Sequence, residues 1–172
     1  MKNTGGIRNG ASLILRAAWI VVLAVVINSC KKEEPLISYD IAGDWTVISF
    51  VDYVNDTVIT KTAENTWPDF NNGDITVSFI PETSERGSIS GITVTNSFAG
   101  DYEISNNGGI KISNVISTLI GEPEWSDKFH YIMDAETYQV RDGKYLVIFC
   151  DQNKISIKLK RNSQARLKLQ KY

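Results

Sequence analysis

SISGITVTNSFAGDYEISNNGGIKISNVISTLIGEP, residues 88–123, is the stretch from which the fold of this chain is read. Ile89 to Val94 is rich in β-branched residues and predicts one strand, with Gly91 marking a bulge or a close approach of backbone. Asn96 to Gly100 reads as a turn. Tyr102 and Ile104 then alternate with Asp101 and Glu103, and Asn107-Gly108 marks a hairpin because both residues accept positive φ. Ile110 and Ile112 form the returning strand. The stretch leaves through Gly121 and Pro123 into a helix, where proline suits the first position because its missing N–H has no partner to lose.

On the C-terminal side, Trp125, Phe129, Ile132 and Met133 recur at i, i+4, i+7 and i+8, which predicts one apolar helical stripe facing the core. Three strands follow. Thr137 to Arg141 turns at Asp142-Gly143 into Lys144 to Cys150, which turns at Asp151-Gln152-Asn153 into Lys154 to Arg161. In the last, Ile155, Ile157 and Leu159 alternate with Ser156, Lys158 and Lys160. On the N-terminal side, Gly43 to Val51, Asp56 to Thr60 and the alternating Ile75, Val77 and Phe79 give further strands. Lys61 to Asn72, with Trp67-Pro68, is a loop. The sum is an α+β, mostly antiparallel β fold: a curled sheet or partly open barrel of about eight strands, with one helix inserted before the last three.

The first thirty residues tell a different story. Lys2, Arg8 and Arg16 precede an unbroken apolar run, Ala17 to Ile27, of 11 residues. A spanning helix needs about 20 such residues, whereas a secretory signal needs about 7–15. Ile27-Asn28-Ser29-Cys30 resembles a lipobox, which implies cleavage before Cys30 and its diacylation. Residues 1–29 are then a lipoprotein signal peptide, 30–39 a lipidated cysteine and charged tether, 40–161 the β domain and 162–172 a basic tail. Lys31 follows the cysteine where an aspartate would favour inner-membrane retention, so the expected location is the outer membrane, on its periplasmic face or at the cell surface.

Beyond residue 30 the chain holds 15 basic and 20 acidic residues, a formal charge of −5. That lacks the basic footprint of a nucleic-acid binder. Two cysteines, Cys30 and Cys150, exclude a disulfide framework when the first is acylated. Cys150 reads as a small core residue.

The ordered set Gly43-Asp44-Trp45, Asn96-Ser97-Phe98-Ala99-Gly100-Asp101-Tyr102 and Ser117-Thr118 with Pro123 resembles the META domain, the family that includes HslJ. Phe129 and Tyr138 fall where that family has further aromatics. The resemblance implies Gly43, Trp45, Asn96, Phe98, Gly100, Tyr102, Ser117, Thr118 and Pro123 as structural motif residues. It also implies an envelope stress or protein-interaction role without catalysis. Where the family often carries two cysteines, this chain has Thr95 and Glu122. Gly43-Asp44-Trp45 also resembles the opening of lipocalins, with Arg161 as the late basic residue stacking on the tryptophan. That second resemblance implies a carrier whose cavity, lined by Trp45, Phe79, Ile104 and Phe149, takes a small apolar ligand.

Catalytic patterns are missing. His130 stands without a second histidine or a cysteine pair, so zinc-type ligation lacks partners, and it reads as a solvated or rim residue. Nucleophile-elbow, zincin and phosphate-loop motifs are absent. Glu122 and Glu124 suit the positive end of a helix. The expectation is no enzyme, no metal and no cofactor. The expected partners are the membrane through the lipid, an envelope protein, or the small apolar ligand of the carrier reading, and not nucleic acid.

Overall fold

The computed structural model describes residues 37–38 and 40–162. Ten strands form one antiparallel sheet. They are β1 (Ile37–Ser38), β2 (Gly43–Asp52), β3 (Thr57–Ile59), β4 (Thr76–Pro81) and β5 (Arg86–Ile92), then β6 (Ser97–Ile104), β7 (Ile110–Ser117), β8 (Ala135–Arg141), β9 (Tyr145–Cys150) and β10 (Ile155–Arg161). Two are stubs of two and three residues, β1 and β3, so eight strands carry the architecture. The order is β1-β8-β9-β10-β2-β4-β5-β6-β7, with β3 flanking β2. The sheet curls until β7 and β8 nearly meet. Gly109 bridges Thr137, and the Tyr138 N–H donates to the Gly108 carbonyl at 2.8 Å. Beyond that contact β7 pairs only with β6, and the result is a half-barrel with one open seam.

A short helix, α1 (Glu124–Asp127), continues as a 3₁₀ turn, Lys128–Asp134, immediately before the last three strands. It closes one mouth of the half-barrel with Trp125, Phe129 and Ile132 in the core. Pro123 is the residue before the first helical one, one place earlier than the sequence indicated. Met133 does not join the stripe; it is exposed. A 3₁₀ segment has three residues per turn, so the buried line runs Ser126, Phe129, Ile132 at intervals of three, and Met133 rotates to solvent.

The interior explains the Phe98-x-Gly100-x-Tyr102 spacing. Across β5 and β6 the pairs are Gly87 with Tyr102, Ile89 with Gly100 and Gly91 with Phe98. Each large side chain lies opposite a glycine, so the layer interdigitates without voids. A Cβ on Gly91 would stand 2.0 Å from the Thr76 carbonyl oxygen and 2.7 Å from the Phe98 ring. This is the close approach expected there. Gly100 is not in a turn. It lies inside β6, opposite a bulge where Asn114 takes φ 53° and a Cβ would stand 2.9 Å from the Ser113 carbonyl. The turn itself is residues 93–96, closed by Thr93 N–H donating to the Asn96 carbonyl at 2.7 Å. A second bulge, between Lys158 and Leu159 where β10 meets β2, reverses the facing of β2, so that Val47 and then Phe50 point inward.

Asp142-Gly143 forms its hairpin as read. Both residues have positive φ, and Lys144 N–H closes on the Arg141 carbonyl at 3.0 Å. Cys30, the apolar run before it, the tether up to residue 36 and the tail from residue 163 lie outside the described residues, whereas Ile37–Ser38, read as part of the tether, form β1.

Candidate functional site: two ends of a half-barrel

Successive connections alternate between the ends of an antiparallel barrel. One end gathers residues 40–42, 82–85, 105–109 and 142–144 together with Arg161. Because β1 also leads into it, it is termed the tether end. The other gathers residues 53–75, 93–96, 118–134 and 151–154, and is the helix end.

At the tether end Trp45 is fully buried and its indole N–H donates to the Ile41 carbonyl at 2.9 Å. The Arg161 guanidinium stacks on the ring, 4.1 Å from its centroid. It also donates to the carbonyls of Ala42 (2.6 Å), Gly143 (2.9 Å) and Asp40 (3.1 Å). Gly43 makes room for it: with φ +116° and a Cβ position 3.0 Å from the guanidinium, any side chain there would be strained and crowded. The stacking expected of Gly43, Trp45 and Arg161 is therefore present, as a clasp across two connections.

The interior behind the clasp is filled where the carrier reading needs space. A side chain lining a water-sized cavity would expose surface to it, yet Trp45 is 0% and Phe79 1% accessible. Tyr102 packs edge-on to Phe79 at 5.3 Å. Phe149 stands between inward Ile148 and Cys150 on β9, so alternation turns it to the outer face. Ile104 is partly buried against the core. Cys150 is inert: burial, with Asp134 and Glu136 nearby, pushes its thiol up to about 12.

The helix end is built on Asn96 and Glu122. Asn96 Nδ2 donates to the Ile120 carbonyl (2.7 Å) and Glu122 Oε1 (2.6 Å), while Oδ1 accepts from Ile120 N–H (2.7 Å) and the Thr118 hydroxyl (2.8 Å). One buried amide thus acts as a strand partner for residues 118–122. The Glu122 carboxylate accepts from Asn96 N–H (3.0 Å), Thr95 N–H (3.3 Å) and the hydroxyls of Thr93 and Ser126. Burial pushes its pKa up, but the hydrogen bonds from Ser126, Thr93, Asn96 and Thr95 together hold it below the ordinary value. An ionised carboxylate saturated by donors has no lone pair left for proton transfer, so it is a rivet rather than a base. The sequence assigned Glu122 to the helix dipole and missed this role. The available signal was the polar set Thr93, Asn96, Glu122 and Ser126 amid apolar neighbours, but nothing local joins residues 26 apart.

Beside this knot lies a groove of about 270 Å³ between the end of β7 and the helix. Phe98 and Phe129, 5.2 Å apart, form part of it, and Leu119, Ile120 and Met133 line it. Leu119 is 97% exposed and Ile120 61%. His130 is an exposed rim residue, its ring 4.3 Å from that of Tyr131. Among the described residues, no three His, Cys, Asp or Glu side chains could hold a metal, and no helix is long and apolar enough to cross a membrane. Gly43, Trp45 and Tyr102 thus serve the tether half, Gly100 faces the bulge, Asn96, Phe98, Ser117 and Thr118 converge on the groove, and Pro123 caps the start of the helix beside it.

No family model matches the chain, and no curated protein matches it. The fold is similar to the crystal structure, at 1.00 Å resolution, of a DUF4847 family protein from Bacteroides vulgatus ATCC 8482. The TM-score is 0.52 and the identity 18%, over 72% of this chain and 94% of that one. At that identity the likeness speaks for the fold, a curled antiparallel half-barrel.

Proposed function

We propose that this protein is a non-enzymatic outer-membrane lipoprotein, anchored through acylated Cys30, whose META/HslJ-like domain serves as a protein-interaction module in the envelope. The observation that carries the interaction role is the exposed apolar wall of the groove, Leu119, Ile120 and Met133, resting on a saturated, non-catalytic polar knot. Monomeric surfaces keep such clusters small unless they meet a partner. The META reading is supported by Thr95 and Glu122, the two positions where that family often has cysteines, because they touch through the Thr95 N–H. A carboxylate network stands where a covalent staple would fit.

The test is photo-crosslinking in intact cells. A crosslinker at Leu119 should give a discrete protein adduct in the membrane fraction, and one at Ile80, exposed towards the tether end, should not. Equal or absent adducts at both positions would defeat the interaction role. Palmitate-analogue labelling that persists in Cys30→Ala would defeat the anchor.

A lipocalin-like carrier of a small apolar ligand is the second reading; the Arg161–Trp45 stack speaks for it and the filled space around Trp45 and Phe79 against it. Native mass spectrometry of the purified protein should find no lipid under the first reading and a stoichiometric one under the second.

A further inference from the structure

The two ends differ in charge as well as in apolarity. Each connection is taken here with the strand residue on either side. The helix-end stretches 52–76, 92–97, 117–135 and 150–155 then hold ten acidic residues against Lys61, Lys128 and Lys154, a net charge of −7. The tether-end stretches 38–43, 81–86, 104–110, 141–145 and 161–162 hold four acidic and four basic residues, net zero. Two of the three helix-end lysines are also engaged, Lys61 with Asp74 and Lys154 with Asp151. Of the eleven large apolar side chains exposed among the described residues, nine lie in these helix-end stretches; Ile80 and Ile116, on β4 and β7, do not. The groove opens within this field, with Asp127 on its lining and Glu124 exposed at the start of the helix.

From this pairing we infer that the groove docks a basic, apolar polypeptide segment, one that alternates cationic and aliphatic side chains. The apolar side chains would settle against Leu119, Ile120 and Met133, and the cations would meet the surrounding carboxylates. An acidic field raises the local concentration of a cationic partner and repels an anionic one. That disfavours an anionic lipid surface as the occupant of this face. The inference deepens the interaction role proposed above and rests on it for its biological setting.

The experiment uses the full-length chain in nanodiscs of neutral phosphatidylcholine, with empty discs as the blank. The probe is a fluorescein-labelled decapeptide of alternating lysine and leucine, read by anisotropy. Its counterparts alternate glutamate with leucine and lysine with serine. The lysine–leucine peptide should bind at least about tenfold more tightly than either, and weaken severalfold between roughly 50 and 300 mM salt. The double substitution Leu119→Ser/Met133→Ser, at exposed positions, should cost about tenfold. Equal binding of the glutamate–leucine peptide would overturn the inference in favour of a merely apolar ligand such as an acyl chain. Binding unchanged by the double substitution would overturn it for this groove. The tail, residues 163–172, carries Arg166, Lys168 and Lys171, with Leu167 and Leu169 interleaved among them. If a chain ending at Asn162 binds more than about tenfold better, the occupant is that tail and not a partner. Because purified protein and peptide need no cellular partner, failure here with intact Leu119 adducts in cells would sink the partner's chemistry alone.

Discussion

The tether end is held by a clasp and the helix end by a knot, and the two respond to different conditions. At the tether end Arg161 lies across Trp45 and three carbonyls. Neither partner titrates in the accessible range, since arginine stays protonated. At the helix end Asn96 and Glu122 hold three segments together, and the bonds that end on Glu122 are strongest with its carboxylate ionised. The helix end is therefore the one whose hold weakens as the Glu122 carboxylate is protonated. The polar rim is also the one that presents the groove.

Five substitutions, one of them read by acid titration, sharpen this contrast. Tyr102→Ala removes a fully buried ring that fills the space over Gly87 and should cost about 4 kcal/mol. For a domain of this size that is a fall in melting temperature of more than about 10 °C. Asn96→Ala should cost about 3 kcal/mol, because it strands the Ile120 N–H and carbonyl as well as losing its own bonds. Hydrogen exchange should rise at residues 118–122 and not around Arg161; a uniform rise would break the distinction between the ends. Arg161→Met keeps the aliphatic stem and should cost about 1–2 kcal/mol, read by chemical denaturation, with exchange rising at residues 40–43 instead.

The titration concerns Glu122. Its folded pKa lies below the unfolded value near 4.5, so its stabilisation is complete above that value and is lost as pH falls through the folded one. Glu122→Gln should cost about 1–2 kcal/mol at neutral pH and flatten the acid limb of the stability curve. An unaltered limb would show that other carboxylates govern it. The smallest effect belongs to Trp125→Phe. The Trp125 indole N–H is buried without an acceptor, so the change loses ring area but no hydrogen bond, and melting should move by no more than the equivalent of about 1 kcal/mol.

Much of the tether half was legible in the sequence because its rules are local. Strict alternation placed Leu159 inward, Asp142-Gly143 named its own turn type, and the positions of Gly43, Trp45 and Arg161 foretold the stack. The helix half was less legible because its determinants are relational. Gly100 looks like a turn residue until β7 brings the Asn114 bulge opposite it. Met133 fits an α-helical stripe until the helix tightens to three residues per turn. Glu122 looks like an ordinary first-turn carboxylate until the 93–96 hairpin arrives beside it. Phe149 was misjudged for a simpler reason: a run of five apolar residues, Leu146 to Cys150, hides its own parity.

The Asn114 bulge has a consequence for how copies of this chain coexist. A half-barrel leaves β7 with an unclaimed edge, and a straight, unclaimed edge recruits the same edge of a neighbour. Asn114 turns the backbone into the left-handed region midway along that edge, and its amide fixes the turn by donating to Asp101 at 2.7 Å. Two such edges brought together would fall out of register after a few residues. The kink therefore works as a spacer between identical molecules. It disfavours edge-to-edge pairing of two half-barrels without closing the seam.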